Sequence, residues 1–274
     1  MTDTFNMDDA LYLRVVRLTI VPKIGLPKVI DGLKISFEVE KTNESNPNTA
    51  NINAYNLSAQ TRSLLESTGT RIILEAGYKK TVAVIFKGNV TKVKHNIEGV
   101  DTITEIEGGD GDNAFRNMRI DRGFPPGATT KSVIDAIANE MKLPVGAKIT
   151  QSLKKIYANG LTLSGYCRDQ LDDICETNDL EWSIQDESLQ IVPKTGFVQD
   201  TMILINSKTG MVGSPSKTDK GIEFKSLLQP RLNPGRRVKI ESRMINGIFK
   251  LRKVEHKGDS RDGEFLSICE ATTK

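Results

Sequence analysis

Two histidines, His95 and His256, three cysteines, Cys167, Cys175 and Cys269, and one run, Gly108-Gly-Asp-Gly-Asp112, are the residues that could do chemistry in this chain. A zinc site needs Cys or His pairs at short spacing, and none of the cysteines forms a C-x-x-C. Each histidine falls at the charged end of an expected strand, without a second His, a Cys pair or a carboxylate at ligand spacing. A serine nucleophile of the hydrolase type would sit in Gly-x-Ser-x-Gly, which does not occur. Val212-Gly-Ser-Pro215 offers a serine only in a loop setting. The glycine run lacks the Lys-Ser/Thr of a phosphate loop and the distal Glu of a calcium loop, so it reads as a strand-ending turn. The cysteines read as buried thiols acting as small hydrophobes. These residues assign no catalytic group, no metal and no cofactor.

Charge is the remaining chemical signal. Asp169, Asp172, Asp173 and Glu176 recur at helical spacing on one stripe, the pattern of a solvated face. From Asp169 to Glu187 there are eight acidic residues and no basic one. From Lys225 to Lys257 there are ten basic residues against only Glu241 and Glu255. Such a strip could bind phosphates, but Phe249 is its only aromatic, so stacking platforms for a single strand are missing. Protein–protein complementarity is the preferred reading, between protomers or with an acidic partner. Arg236, Arg237 and Lys239, with Asp169, Asp172 and Asp173, are the candidate interface residues.

The elements that would position these groups are mostly strands. Leu33, Ile35, Phe37 and Val39 alternate with Lys34, Ser36, Glu38 and Glu40. Residues 50–57, 71–77, 82–94 and 102–107 read as further strands, with Gly88 a candidate bulge. Ser58 caps a short helix that carries Leu64 and Leu65. After Pro125-Pro-Gly127, Thr129 caps a helix with Val133, Ile134, Ile137, Ala138 and Met141 on one side. A second helix is expected over Ser164–Asn178, burying Cys167, Leu171, Ile174 and Cys175, followed by a hairpin turning at Asp186-Glu187. Ser207–Asp219 reads as a loose loop, and four strands follow to Ala271. The expected fold is mainly β with an α+β insert: β domains at 1–112, a barrel or sandwich, and at 194–274, flanking a small α+β module at 113–193.

At 274 residues, the chain is long enough for two or three domains with their own cores. Hydrophobic residues are 38% and charged residues 27%, ordinary for a soluble protein, and the net charge of +3 points to neither nucleic acid nor membrane. No apolar run approaches the ~18 residues of a membrane span, so no membrane anchor is expected. Residues 1–9 lack the basic start and apolar stretch of a secretory signal, which implies synthesis and folding in a cytoplasm.

Several blocks together resemble a known family. Gly210-Met-Val-Gly-Ser-Pro215, Gly221-Ile-Glu-Phe224, Leu227-Leu-Gln-Pro230, Pro234-Gly235 and Val254-Glu-His-Lys-Gly-Asp259 resemble the C-terminal barrel of bacteriophage baseplate or tail hub proteins, of the late control protein D type. Gly32-Leu-Lys-Ile-Ser-Phe-Glu-Val-Glu-Lys41, Pro47-Asn-Thr-Ala50, Tyr55-Asn-Leu-Ser58, Ala76-Gly-Tyr78 and Ile85-Phe-Lys-Gly88 resemble the opening domain of the same proteins. The resemblance implies a structural, non-enzymatic virion protein with two tube-like barrels per chain, assembled in the host cytoplasm as a homotrimeric ring. It implies the tail tube protein, a separate spike protein and the tape-measure protein as partners, with DNA only in transit. The alternatives kept beside it are a peptidoglycan-binding or tail-associated lytic module and a nucleic-acid-binding protein using the strip 225–257.

Overall fold

The computed structural model describes residues 13–146, 153, 155–198 and 202–273. The N-terminal segment read for a targeting signal lies outside them. The chain forms two compact units, one from residues 1–42, 48–109 and 200–274, the other from 43–47 and 110–199. It is mainly β with a small α+β insert, as the alternation of its sequence implied.

In the first unit the N-terminal part supplies β1 (Arg14–Val21), β2 (Lys28–Ile30), β3 (Ile35–Thr42), β4 (Thr49–Tyr55), α1 (Ala59–Glu66), β5 (Arg71–Tyr78), β6 (Ala83–Glu98) and β7 (Asp101–Gly109). Ser58 caps α1 by accepting from the Thr61 amide, and Leu65 on the inner face of that helix is buried. Gly88 is not a bulge. The ladder shifts at Leu74/Glu75 and at Val90/Lys92 instead, while Gly88 pairs regularly with Ile72. Its reason is close approach, since a Cβ there would lie 2.4 Å from the Gly109 carbonyl oxygen. Gly88→Ala is therefore expected to cost about 1–3 kcal/mol of overpacking, seen as a lower urea midpoint, with unchanged stability as the contrary result.

The second unit begins with α2 (Asp112–Asn117), β8 (Arg119–Phe124), β9 (Ala128–Thr129), α3 (Thr130–Met141), β10 (Ile156–Tyr157), β11 (Leu161–Tyr166), α4 (Cys167–Thr177), β12 (Leu180–Gln185) and β13 (Ser188–Pro193). Thr129 and Ser132 form a capping box at the start of α3. The second helix starts at Cys167, not Ser164. Residues Ser164 to Tyr166 are committed to a ribbon in which β11 pairs antiparallel with β8. Cys167, Leu171, Ile174 and Cys175 are buried against Trp182, Ile184 and the α3 side chains Val133, Ile134 and Ile137. All three cysteines are free and buried. Burial pushes the Cys167 thiol up to about 11 and Cys175 up to about 12.

The β12–β13 hairpin turns at Asp186-Glu187, both in the left-handed region, at φ 52° and 61°. That geometry favours glycine, yet neither residue is one. Fully buried Asp110 holds the turn, its Oδ2 accepting from the Asp186 amide at 2.6 Å and its Oδ1 from the Glu187 amide at 2.7 Å. The glycine-aspartate run ends a strand, and its central carboxylate organises a turn far along the chain.

The C-terminal part returns to the first unit with β14 (Ile203–Ile205), β15 (Met211–Thr218), β16 (Gly221–Leu227), β17 (Arg237–Glu241), β18 (Asn246–Asp259) and β19 (Phe265–Thr272). The expected loose loop over 207–219 is largely strand β15, because backbone pairing with β16 overrides its Gly, Ser and Pro content. The sheet runs β15-β16-β19-β18-β3-β4-β7-β6-β5-β1-β2, with β17 on β18 and β14 parallel to β17. Strands from the two ends of the chain meet at β3–β18, where Val39 faces His256 and Lys41 faces Val254.

Two apolar cores lie within this unit. One gathers Leu18, Ile35, Phe37, Leu74 and Phe86, the other Phe224, Val238, Ile240, Leu251 and Val254. Between them the buried side of the sheet turns polar. Ser226 on β16 faces Ser267 on β19, Ser267 faces His256 on β18, and Lys41 on β3 follows Val39 on the same side. All four are 0% exposed. His256 Nδ1 lies 2.9 Å from Ser267 Oγ, which accepts from the Gln229 amide at 3.0 Å, and Lys41 Nζ donates to Asn233 Oδ1 at 3.0 Å. His256 is thus a mid-strand core residue and not the charged strand end the sequence suggested.

Candidate assembly surface

The opposite side of the same sheet is uncovered and charged. The alternation that buries Ile35, Phe37 and Val39 turns Glu38 and Glu40 outward on β3. Lys253, Glu255 and Lys257 follow on β18, Glu270 on β19, Glu223 and Lys225 on β16. On the other flank lie Asn51 and Asn53 of β4, Glu105 and Glu107 of β7 and Lys92 and Lys94 of β6. Cross-strand pairs partly neutralise the face, with Lys253 Nζ 2.9 Å from Glu40 Oε2 and Lys92 Nζ 2.8 Å from Glu107 Oε1. Burial pushes the Glu255 carboxyl up, and neighbouring Glu38 adds to it. Two shallow depressions mark the face. One of about 310 Å³ is lined by Glu38, Asn51, Asn53 and Lys257, and one of about 280 Å³ by Glu223, Lys225, Lys253, Glu255 and Glu270.

Strand alternation divides the basic strip. Lys225, Lys253 and Lys257 join the charged face, whereas Lys250 is nearly buried opposite Arg237 in the β17–β18 ladder. Arg236 is half-buried and donates to the Arg231 carbonyl at 3.1 Å. Lys239 Nζ sits 2.6 Å from Glu241 Oε1, and hydrogen bonding from Lys239 holds the Glu241 carboxyl below its ordinary range. Arg236, Arg237 and Lys239 thus come together at β17 in the first unit, and Asp169, Asp172 and Asp173 on α4 in the second. The acidic stripe is not uniformly solvated: Asp172 accepts the Trp182 indole N–H at 2.7 Å, and partial desolvation raises its carboxyl despite that bond. Asp169 is exposed and accepts from Arg168 Nε at 3.1 Å, and Asp173 is exposed.

His95 Nδ1 is 3.2 Å from Thr104 Oγ1 and its Nε2 3.1 Å from Glu66 Oε1, a surface network without a nucleophile. Among the described residues no group of three His, Cys, Asp or Glu side chains could hold a metal ion. No described helix is long and apolar enough to cross a membrane. The charged sheet face escaped the sequence because it is assembled by cross-strand register, and only the outward half of each alternating run hinted at it.

The fold is shared with tail proteins. The 43 kDa tail protein of prophage MuSo2 from Shewanella oneidensis matches with a TM-score of 0.67 at 8% identity, covering 93% of this chain and 96% of its own. A tail protein from Neisseria meningitidis MC58 matches with a TM-score of 0.66 at 10% identity, covering 96% and 97%. The E. coli c3393 protein, a component of the type VI secretion system with structural similarity to T4 tail proteins gp27 and gp5, matches at 0.59 with 13% identity, covering 94% and 76%. No curated protein sequence matches the chain. Residues 15–271 match the sequence profile of the Baseplate hub gp41 family, so that the chain belongs to this family of structural proteins of the bacteriophage tail.

Proposed function

We propose that the protein is the hub of a phage or phage-like baseplate, working as a homotrimeric ring without enzymatic activity. In this reading each chain contributes two barrel-like β domains, so three copies present a quasi-sixfold ring to the tail tube and a threefold one to a separate spike protein. The observation that carries it is the β3–β18 ladder, which fuses the two ends of the chain into one sheet while leaving two separate apolar cores. Two rigid β domains on one frame supply the repeated element that a symmetry adaptor needs, and ring closure covers the sheet edges β2 and β15.

The uncovered charged face is assigned to the lumen. Its acidic excess and its lack of an aromatic platform give passing DNA no strip to adhere to. The tape-measure protein would occupy the same passage before DNA, and assembly would take place in the host cytoplasm. Mass measurement by light scattering, followed by negative-stain imaging, tests the reading. A trimer, alone or after addition of the spike and tube proteins, is the expected result. A strictly monomeric particle in the presence of both would overturn it.

A further inference from the structure

The second unit carries a surface that the hub reading does not use. Tyr166 closes β11, and the guanidiniums of Arg119 on β8 and Arg168 on α4 each lie 4.6 Å from its ring centroid. Arg168 also lies 5.2 Å from the Phe115 ring, and Arg122 lies 5.4 Å from that of Phe124. Four of the six cation–π contacts among the described residues therefore fall in this unit, which is about a third of the chain. Arg168 is tied down, its Nε to Asp169 Oδ1 at 3.1 Å and a terminal nitrogen to the Phe115 carbonyl at 3.3 Å. Arg119 is exposed and its guanidinium makes no hydrogen bond or ion pair among the described residues. A guanidinium laid on a ring keeps its N–H fork fixed and outward, so a planar anion is bound with little loss of side-chain freedom.

Beside this fork runs an acidic edge. Asp169, Asp173 and Glu176 recur on one stripe of α4, all exposed, and neither Asp173 nor Glu176 makes an ion pair among the described residues. Asp121, opposite Ser164 in the β8–β11 ribbon, adds a carboxylate on the same side of the ribbon as Arg119. A polyphosphate chain would bring successive charges against these acids, and guanidiniums already occupy the Tyr166 ring where a base would stack. A mixed-charge peptide meets neither obstacle. We propose that the Arg119–Tyr166–Arg168 surface and the adjoining α4 edge dock a segment of a partner protein, which presents a carboxylate to Arg119 and a basic group to Asp173 and Glu176.

Fluorescence anisotropy on the full chain at low salt tests this, with a short labelled peptide carrying a glutamate pair at one end and a lysine pair at the other. An oligothymidylate serves as the second probe. The peptide is expected to bind, and Arg119→Gln to weaken it about tenfold, the worth of one bidentate charged contact. Arg119→Lys is expected to weaken it similarly, because an ammonium has no fork. Asp173→Asn should weaken it less, and thermal unfolding should be unchanged in all three exposed variants. Absence of peptide binding, binding indifferent to Arg119→Gln, or tighter binding of the oligothymidylate would each overturn the proposal.

Discussion

Asp110→Ala is expected to destabilise the second unit by about 3–5 kcal/mol, the largest single-residue effect the structure implies. Two mechanisms add. The buried carboxylate makes two charge-assisted bonds, at 2.6 and 2.7 Å, to the Asp186 and Glu187 amides, and the alanine leaves both donors without that acceptor. The same bonds hold two non-glycine residues in left-handed geometry, which costs roughly 1–2 kcal/mol per residue without such support. Trp182, the chain's only tryptophan, lies in this hairpin, so its fluorescence during urea unfolding reports the unit directly. Glu187→Gly in the Asp110→Ala background should recover about 1 kcal/mol by removing the strain at one turn position. A wild-type midpoint for Asp110→Ala would mean the turn is held by other contacts.

The second large effect is a pH dependence centred on His256. Complete burial, reinforced by the Lys41 ammonium, pushes its folded-state value from 6.5 down to about 3. Below pH 6.5 the unfolded chain takes up a proton that the folded chain refuses, so acidification favours unfolding. This group's contribution is fully present above pH 6.5 and is lost at about 1.4 kcal/mol per pH unit as pH falls toward 3. His256→Asn removes the titration and keeps a hydrogen-bonding partner for Ser267. Between neutrality and about pH 4.5, the wild type should therefore lose stability more steeply than the variant, by about one proton's slope. Carboxylates elsewhere titrate in both proteins and cancel in the difference. Parallel stability curves in circular-dichroism unfolding would rule this account out.

Much of the fold was legible because its cores obey simple periodicities. Ile35, Phe37 and Val39 announce a half-buried strand, Thr129 and Ser58 announce helix starts, and Cys167, Leu171, Ile174 and Cys175 announce a buried helical face. What was not legible depends on contacts between distant segments. The β8–β11 ribbon was hidden because Arg119–Phe124 has no apolar alternation, and β15 because its glycine, serine and proline argue for a loop. Lys41 and His256 are polar residue types that become buried only through distant segments, Lys41 bonding Asn233 and His256 facing Ser267. The interface candidates suffered the same fate, since a basic strip contiguous in sequence is divided between two faces once its strands pair.

The β3–β18 ladder also sets a timetable. Residues Ser36–Thr42 leave the ribosome roughly two hundred residues before their partners Lys253–Asp259 exist. At about 5–20 residues per second, that edge waits on the order of ten to forty seconds for its mate. Until then the nascent chain carries an open strand edge, and the first core lacks the Phe265 and Leu228 that help close it. Completion of the final strands is thus the event that joins the two ends of the chain in one sheet, and a polypeptide truncated before β18 lacks the partner of β3 and two side chains of the first core.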